Sequence, residues 1–243
     1  MRTEPGRFDS SLSLNGLFSG ENKKPTWILL LAPFLLTIFK YYGSREFYVE
    51  HLASLVVLDN VGFSAALYVF LSSFLWMGII PFLTIRFFFR ESVIHYGVQT
   101  GDWRFGIKAF AVMAPVMILL TYPSASMPQF VAEYPLNKGA GSSAIAFALH
   151  AVSYLFFYAG WEFFFRGFMQ FGLRAQLGDW NAILVQTLAS CLLHIGKPDG
   201  EIFGSIVGGI VWGIAVFRSR SLLYVLILHW LLGVSLDAFI LFF

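Results

Sequence analysis

The chain has 243 residues, of which 58% are hydrophobic, 19% aromatic and only 12% charged, with a formal net charge of +2. Soluble domains carry about 25% charged residues, and 28 phenylalanines could not be hidden inside a soluble globule of this size. Disorder is excluded by the hydrophobicity, a disulfide scaffold by the single Cys191, and a nucleic-acid partner by the small net charge.

What remains is an all-α, polytopic transmembrane helix bundle of about seven spans, each needing roughly 20 residues to cross a bilayer. Residues 1–25 form a polar tail with Arg2, Arg7, Lys23 and Lys24. No cleavage site follows, because the first apolar run simply continues as a span. Seven apolar stretches come next: Thr26–Tyr42, Phe63–Ile85, Phe105–Tyr122, Ser143–Phe171, Asn181–Gly196, Glu201–Phe217 and Leu222–Phe242. Turn formers separate them at Tyr122-Pro123-Ser124, Tyr134-Pro135, Lys138 to Gly141, and Lys197-Pro198-Asp199-Gly200. No inverted repeat of the transporter kind is visible.

With the N-terminus inside, 11 basic residues fall on the inner side and four (Lys40, Arg45, Lys138 and Lys197) on the outer. The positive-inside rule therefore places the N-terminus in the cytoplasm and the C-terminus outside. Trp27, Tyr41, Tyr42, Trp103 and Tyr122 sit near span ends, where amphipathic rings anchor at the interface.

Charges within spans are costly and call for a partner or a task. The fourth stretch carries Glu162 and Arg166, four apart and so on one helix face. An internal ion pair that pins two helices is one reading of them. The fifth and seventh stretches carry His194 and His229. A lone histidine in an apolar helix is usually a hydrogen-bonded core residue, but two on separate spans beside a Glu–Arg pair make a different case. At 1.5 Å per residue, Glu162, His194 and His229 lie about 15, 20 and 11 Å from the inner ends of their helices, all mid-membrane. A carboxylate and two imidazoles meeting there would hold and activate a water. Glu201 follows the short fifth stretch; it either faces the same cavity as His194 or sits at the interface, favoured by the helix dipole. Gly204, Gly208, Gly209 and Gly213 allow the sixth span to approach its neighbours closely, drawing the fifth, sixth and seventh together. His51, His95 and His150 have no nameable partner, and Asp237 is expected to reach the outer interface.

These segments resemble the CAAX protease and bacteriocin-processing (CPBP, or Abi) family of intramembrane proteases. The family pattern is Glu-Glu-x-x-x-Arg, then Phe-x-x-x-His, then His-x-x-x-Asn, on three successive helices. Here it reads Trp161-Glu162-Phe163-Phe164-Phe165-Arg166, Ser190 to His194, and His229 to Gly233. The resemblance marks residues 143–243 as a catalytic core behind the spans and loops of 26–142, with Tyr134-Pro135-Leu136 also family-like. It implies an integral protein of the bacterial cell membrane whose partners are the lipid bilayer and a membrane-associated peptide or protein substrate. Three positions depart: Trp161 replaces the first Glu, Ser190 the Phe, and Gly233 the Asn. The family's first Glu is the expected water-activating base, with its second His and its Asn at the oxyanion. Glu162 matches the second Glu.

The leading expectation is an endopeptidase in which Glu162, helped by Glu201, deprotonates water. His194 holds that water, His229 donates to the oxyanion, and Arg166 keeps Glu162 ionised. His194, His229 and Glu162 are also an acceptable ligand set for catalytic zinc, although the same residues can activate water without a metal. The alternatives are a non-catalytic scaffold or immunity-type protein retaining the fold, which the missing Glu and Asn favour, and a proton- or ion-coupled transporter.

Overall fold

The computed structural model describes residues 13–58 and 60–243. Arg2, Arg7 and the rest of the first 12 residues of the tail lie outside the described residues. Among the described residues every regular element is a helix. After a short helix at Leu14–Leu17 and a 3-10 turn at Gly20–Asn22, the long helices are α1 (Lys23–Tyr42), α2 (Val61–Phe89) and α3 (Trp103–Ser124). A 50-residue helical run, Ala144–Leu193, follows, then α6 (Asp199–Ser219) and α7 (Leu223–Phe242).

The 50-residue run is not one rod. Gly178 has φ 73° and ψ 174°, a conformation outside the helix and favoured by glycine. The chain reverses there into α4 (144–177) and α5 (179–193), because the Trp161 and His194 rings, 33 residues apart in sequence, lie 5.1 Å apart. A straight helix would separate them by about 50 Å. Six long apolar helices thus give seven membrane segments, in line with the count read from hydropathy. Most begin a residue or two before the apolar stretch, since polar caps precede them. Asn60, Asp102 and Ser143 each accept a backbone N–H from the first turn of α2, α3 and α4 respectively.

The surface is inverted relative to a soluble protein. Val112, Leu119, Val152 and Phe203 are 63–71% exposed, as suits side chains that face lipid. The interior holds Phe164, Phe165 and Phe168, wholly buried, together with polar side chains such as Glu162, Arg166, Gln170 and Gln186. Helices α2 and α4 cross in backbone contact. A Cβ on Gly160 would come within 2.4 Å of the Ser73 carbonyl oxygen, and Ser73 Oγ donates to the Phe157 carbonyl.

The glycines of α6 divide into two pairs. A Cβ on Gly209 would stand 2.6 Å from Thr187 of α5, and one on Gly213 would stand 2.9 Å from Gln170 Oε1 and 3.1 Å from Ile183. Gln186 and Gln170 reinforce this seam by donating to the Gly209 and Gly213 carbonyls. Gly204 meets no atom within 4 Å and Gly208 meets only Trp212. The seventh helix is not drawn in by these glycines, as had been expected; it packs chiefly along α3.

One end of the bundle is sewn shut by loop backbone. Asp102 N–H donates to the Ser219 carbonyl and Leu222 N–H to the Gly97 carbonyl, while Tyr224 Oη donates to the Thr100 carbonyl. Gly101, with φ 54°, leaves no room for a Cβ, which would stand 2.0 Å from the Ser219 oxygen. Lys23, Lys24, Arg86, Arg90, Arg104, Lys108, Arg174, Arg218 and Arg220 gather toward this end, and the four residues assigned to the outer side gather at the other.

His150 and Asp237, expected to lack partners or to reach the interface, do neither. They are 1% and 0% exposed and bond to each other, Nε2 to Oδ2 at 2.8 Å, between α4 and α7. Each offsets the cost of burying the other, a match that neither helix announces alone.

Candidate active site

Two groups of polar side chains meet near the open end of the bundle. The first is centred on a buried carboxylate. Glu162 and Arg166, on the α4 face that precedes and enters the π-helical stretch Phe163–Phe171, are each 1% exposed. Arg166 Nη1 donates to Glu162 Oε1 at 3.2 Å, and His229 Nδ1 of α7 donates to the same oxygen at 2.7 Å. The Arg166 guanidinium lies 5.7 Å from the centroid of the Trp212 ring, which in turn lies 4.6 Å from that of His229. Glu162 Oε2 and Arg166 Nε have no hydrogen-bond partner.

The second group is reached by solvent. His194 closes α5, and its Nδ1 donates to the Ser190 carbonyl at 2.7 Å. This fixes the tautomer and leaves Nε2 as a lone pair, 3.8 Å from Glu201 Oε1, beyond direct hydrogen-bond reach. Glu201 stands in the first turn of α6. Tyr134 Oη donates to its carboxylate, 2.8 Å from each oxygen. Burial and then the Glu201 charge push the Tyr134 phenol well above its ordinary range, so it stays a donor.

Two cavities converge here. One, of about 660 Å³, runs between α3 and α6 and is walled by Met113, Met117, Leu120, Gly204 and Val207. Leu120 and Val207 are more than half exposed, so this cavity opens on the bilayer-facing surface. The other, of about 390 Å³, opens at the less basic end among Lys40, Arg45, Glu133, Lys138 and Lys197. Tyr134, Tyr158, Trp161, His194, Glu201 and His229 line both.

The structure therefore brings all five sequence candidates into one neighbourhood with different exposures. His194, His229 and Glu201 line both cavities, Arg166 reaches the apolar one, and Glu162 lines neither. The side chain facing inward at the pattern's first carboxylate position is Trp161, its ring 5.1 Å from His194 and its buried Nε1 without a partner. Adjacent helical residues point about 100° apart, and the π-helical stretch does not undo that difference.

The three zinc candidates do not assemble into a metal set. Glu162 turns its bonded oxygen to Arg166 and His229 and lines neither cavity that the two imidazoles share. Among the described residues, no group of three His, Cys, Asp or Glu side chains is placed to hold an ion.

Tyr134, Tyr158 and Trp212 were not singled out from sequence as site residues. Tyr134 lay in a stretch noted only for its likeness, and Tyr158 gave one available signal: it stands one turn before Glu162.

Residues 143–235 match the family described as Type II CAAX prenyl endopeptidase Rce1-like. The matched segment runs from α4 into α7 and contains every residue of both polar groups except Tyr134. It is the resemblance that the three motifs carry, and at family level it supports a membrane-embedded peptidase. No curated protein and no solved structure matches the chain.

Proposed function

We propose that this protein is an intramembrane endopeptidase that hydrolyses a peptide bond of a membrane-associated or lipid-linked peptide or protein. The observation that carries this reading is the meeting of an apolar, lipid-facing cavity and a polar, water-facing one at His194, Glu201 and His229. An amphiphilic substrate needs the first and hydrolysis needs the second.

In this reading Glu201 is the base, because its carboxylate lines both cavities while Glu162 lines neither. Glu201 takes a proton from water held by its second O–H on His194 Nε2. The water oxygen adds to the scissile carbonyl carbon, and the carbonyl π pair moves onto oxygen. When the C–N bond breaks, Glu201 returns the proton to the leaving nitrogen. Tyr134 holds the Glu201 carboxylate in place through its hydroxyl. His229, with Nδ1–H spent on Glu162, offers a lone pair at Nε2 to the scissile N–H and so turns the substrate carbonyl. Arg166 and Glu162 position His229.

The experiment is cleavage of a panel of prenylated and transmembrane peptides by the purified protein in liposomes. Cleavage that disappears in Glu201→Gln supports the reading; full activity in that variant overturns the assignment of the base. A second reading, a non-catalytic member of the fold, is favoured by Trp161 standing beside His194 where a carboxylate would act. A scaffold would bind peptides from the panel and cleave none. The N-terminus is proposed to be cytoplasmic, so that the polar cavity opens on the opposite side, and labelling of introduced cysteines from each side tests this.

A further inference from the structure

Resting on that reading, we infer that the Tyr158 hydroxyl is the oxyanion donor of this site, standing where α7 offers no side chain. A tetrahedral oxyanion requires N–H or O–H groups aimed at it. Neither histidine supplies one in its neutral form, since His194 spends Nδ1–H on the Ser190 carbonyl and His229 spends its own on Glu162. Tyr134 spends its hydroxyl on Glu201.

Tyr158 is placed to fill this role. It lies one helical turn before Glu162, lines both cavities, and is 5% exposed. Its ring centroid is 4.5 Å from that of His229. The more telling distance concerns Gly233, one turn beyond His229. A Cβ built there would lie 2.0 Å from Tyr158 Oη and 2.9 Å from Cζ. The phenol oxygen therefore occupies the volume in which any side chain at position 233 would begin. Tyr158 and Gly233 are one device: the glycine admits the hydroxyl, and the hydroxyl replaces the polar group that the glycine lacks. The hydroxyl makes and breaks no covalent bond in the step. As the carbonyl π pair moves onto oxygen, the O–H donates to the developing charge and keeps its proton.

The test compares wild type, Tyr158→Phe, Gly233→Asn and the double variant Tyr158→Ala/Gly233→Asn in liposomes. Two readouts are taken: cleavage of a peptide, and affinity for the same peptide with a phosphonate at the scissile position. Removing one such donor costs on the order of 10²–10³ in kcat, with KM little changed. Tyr158→Phe is expected to show that loss and a comparable loss of phosphonate affinity, with unchanged affinity for the uncleaved peptide. Gly233→Asn should be impaired by collision with the phenol, and the double variant should recover part of the loss. Full turnover in Tyr158→Phe by a cleaving wild type overturns the Tyr158 assignment and leaves the peptidase reading standing. A folded wild type that neither cleaves nor prefers phosphonate to peptide overturns the peptidase reading, and this inference with it.

Discussion

Two imidazole–carboxylate pairs join α4 to α7, and they run in opposite senses. At the candidate site the carboxylate is on α4 and the imidazole on α7, as Glu162 and His229. Twelve residues earlier on α4 and eight later on α7, the imidazole is on α4 and the carboxylate on α7, as His150 and Asp237. The bonds are alike, 2.7 and 2.8 Å. Their surroundings are not. His150 is closed in by Phe70 and Tyr154, and its second nitrogen is buried without a partner. His229 lines both cavities. A buried imidazole–carboxylate pair is a cross-link; it becomes chemistry only where the free nitrogen opens on space for a substrate.

The largest expected difference between the two pairs is in turnover. His229→Gln should lower cleavage by about 10²–10³-fold, the range for losing one positioned hydrogen-bonding group at the reacting centre. His150→Gln should leave kcat unchanged per folded molecule, as measured by cleavage normalised to the monodisperse fraction. Equal losses in the two variants would erase the distinction.

Stability should separate them next. Arg166→Met leaves Glu162 charged and buried with one partner fewer, a cost of about 3–5 kcal/mol, visible as a lower melting temperature in detergent. The double variant His150→Phe/Asp237→Leu removes both partners of the other pair and fills their space. Its melting temperature should be unchanged or higher, since apolar replacement of a complete buried pair is neutral to stabilising. A smaller cost attends breaking that pair at one side only. Asp237→Asn keeps a hydrogen-bonding group opposite His150, and its cost should be roughly 1–3 kcal/mol.

The smallest effect belongs to Glu91, which lies in the loop after α2. Burial opposes ionisation of Glu91, yet Lys24 and the Tyr96 hydroxyl hold its carboxyl below the ordinary 4.5. A carboxyl lowered on folding stabilises above its unfolded value, and the benefit is lost as pH falls through the folded one. Glu91→Gln should lower the melting temperature slightly at pH 7, by less than about 1 kcal/mol in stability. The difference from wild type should shrink as pH drops below 4.5.

Much of the fold was legible because hydropathy marks membrane segments strongly and because turn formers mark the breaks. The apolar stretches break between Phe171 and Asn181, and Gly178 makes the reversal there. Helix rotation was not legible. In a helix apolar all round, periodicity carries no phase, so nothing in the sequence distinguishes Trp161, which lines the cavities, from Glu162 beside it, which does not. The His150–Asp237 bond and the fit of Tyr158 over Gly233 are relations between helices. Each half reads as ordinary alone, and only the packing joins them.

The sewn end of the bundle gives the apolar cavity a measure. Helices α3 and α6 are fastened there through the Asp102–Ser219 bond, and the slot between them leads to the polar groups. On α3 its wall runs from Val112 through Val116 and Leu120 to Ser124. Twelve residues of helix make this a gauge of about 18 Å, closed at one end. An extended peptide at about 3.3 Å per residue would run out of slot after about five residues. A chain pushed to the closed end would always present the same bond to Glu201. The position of the cut would then be set by counting from an end, with little need to read the side chains on either side of it.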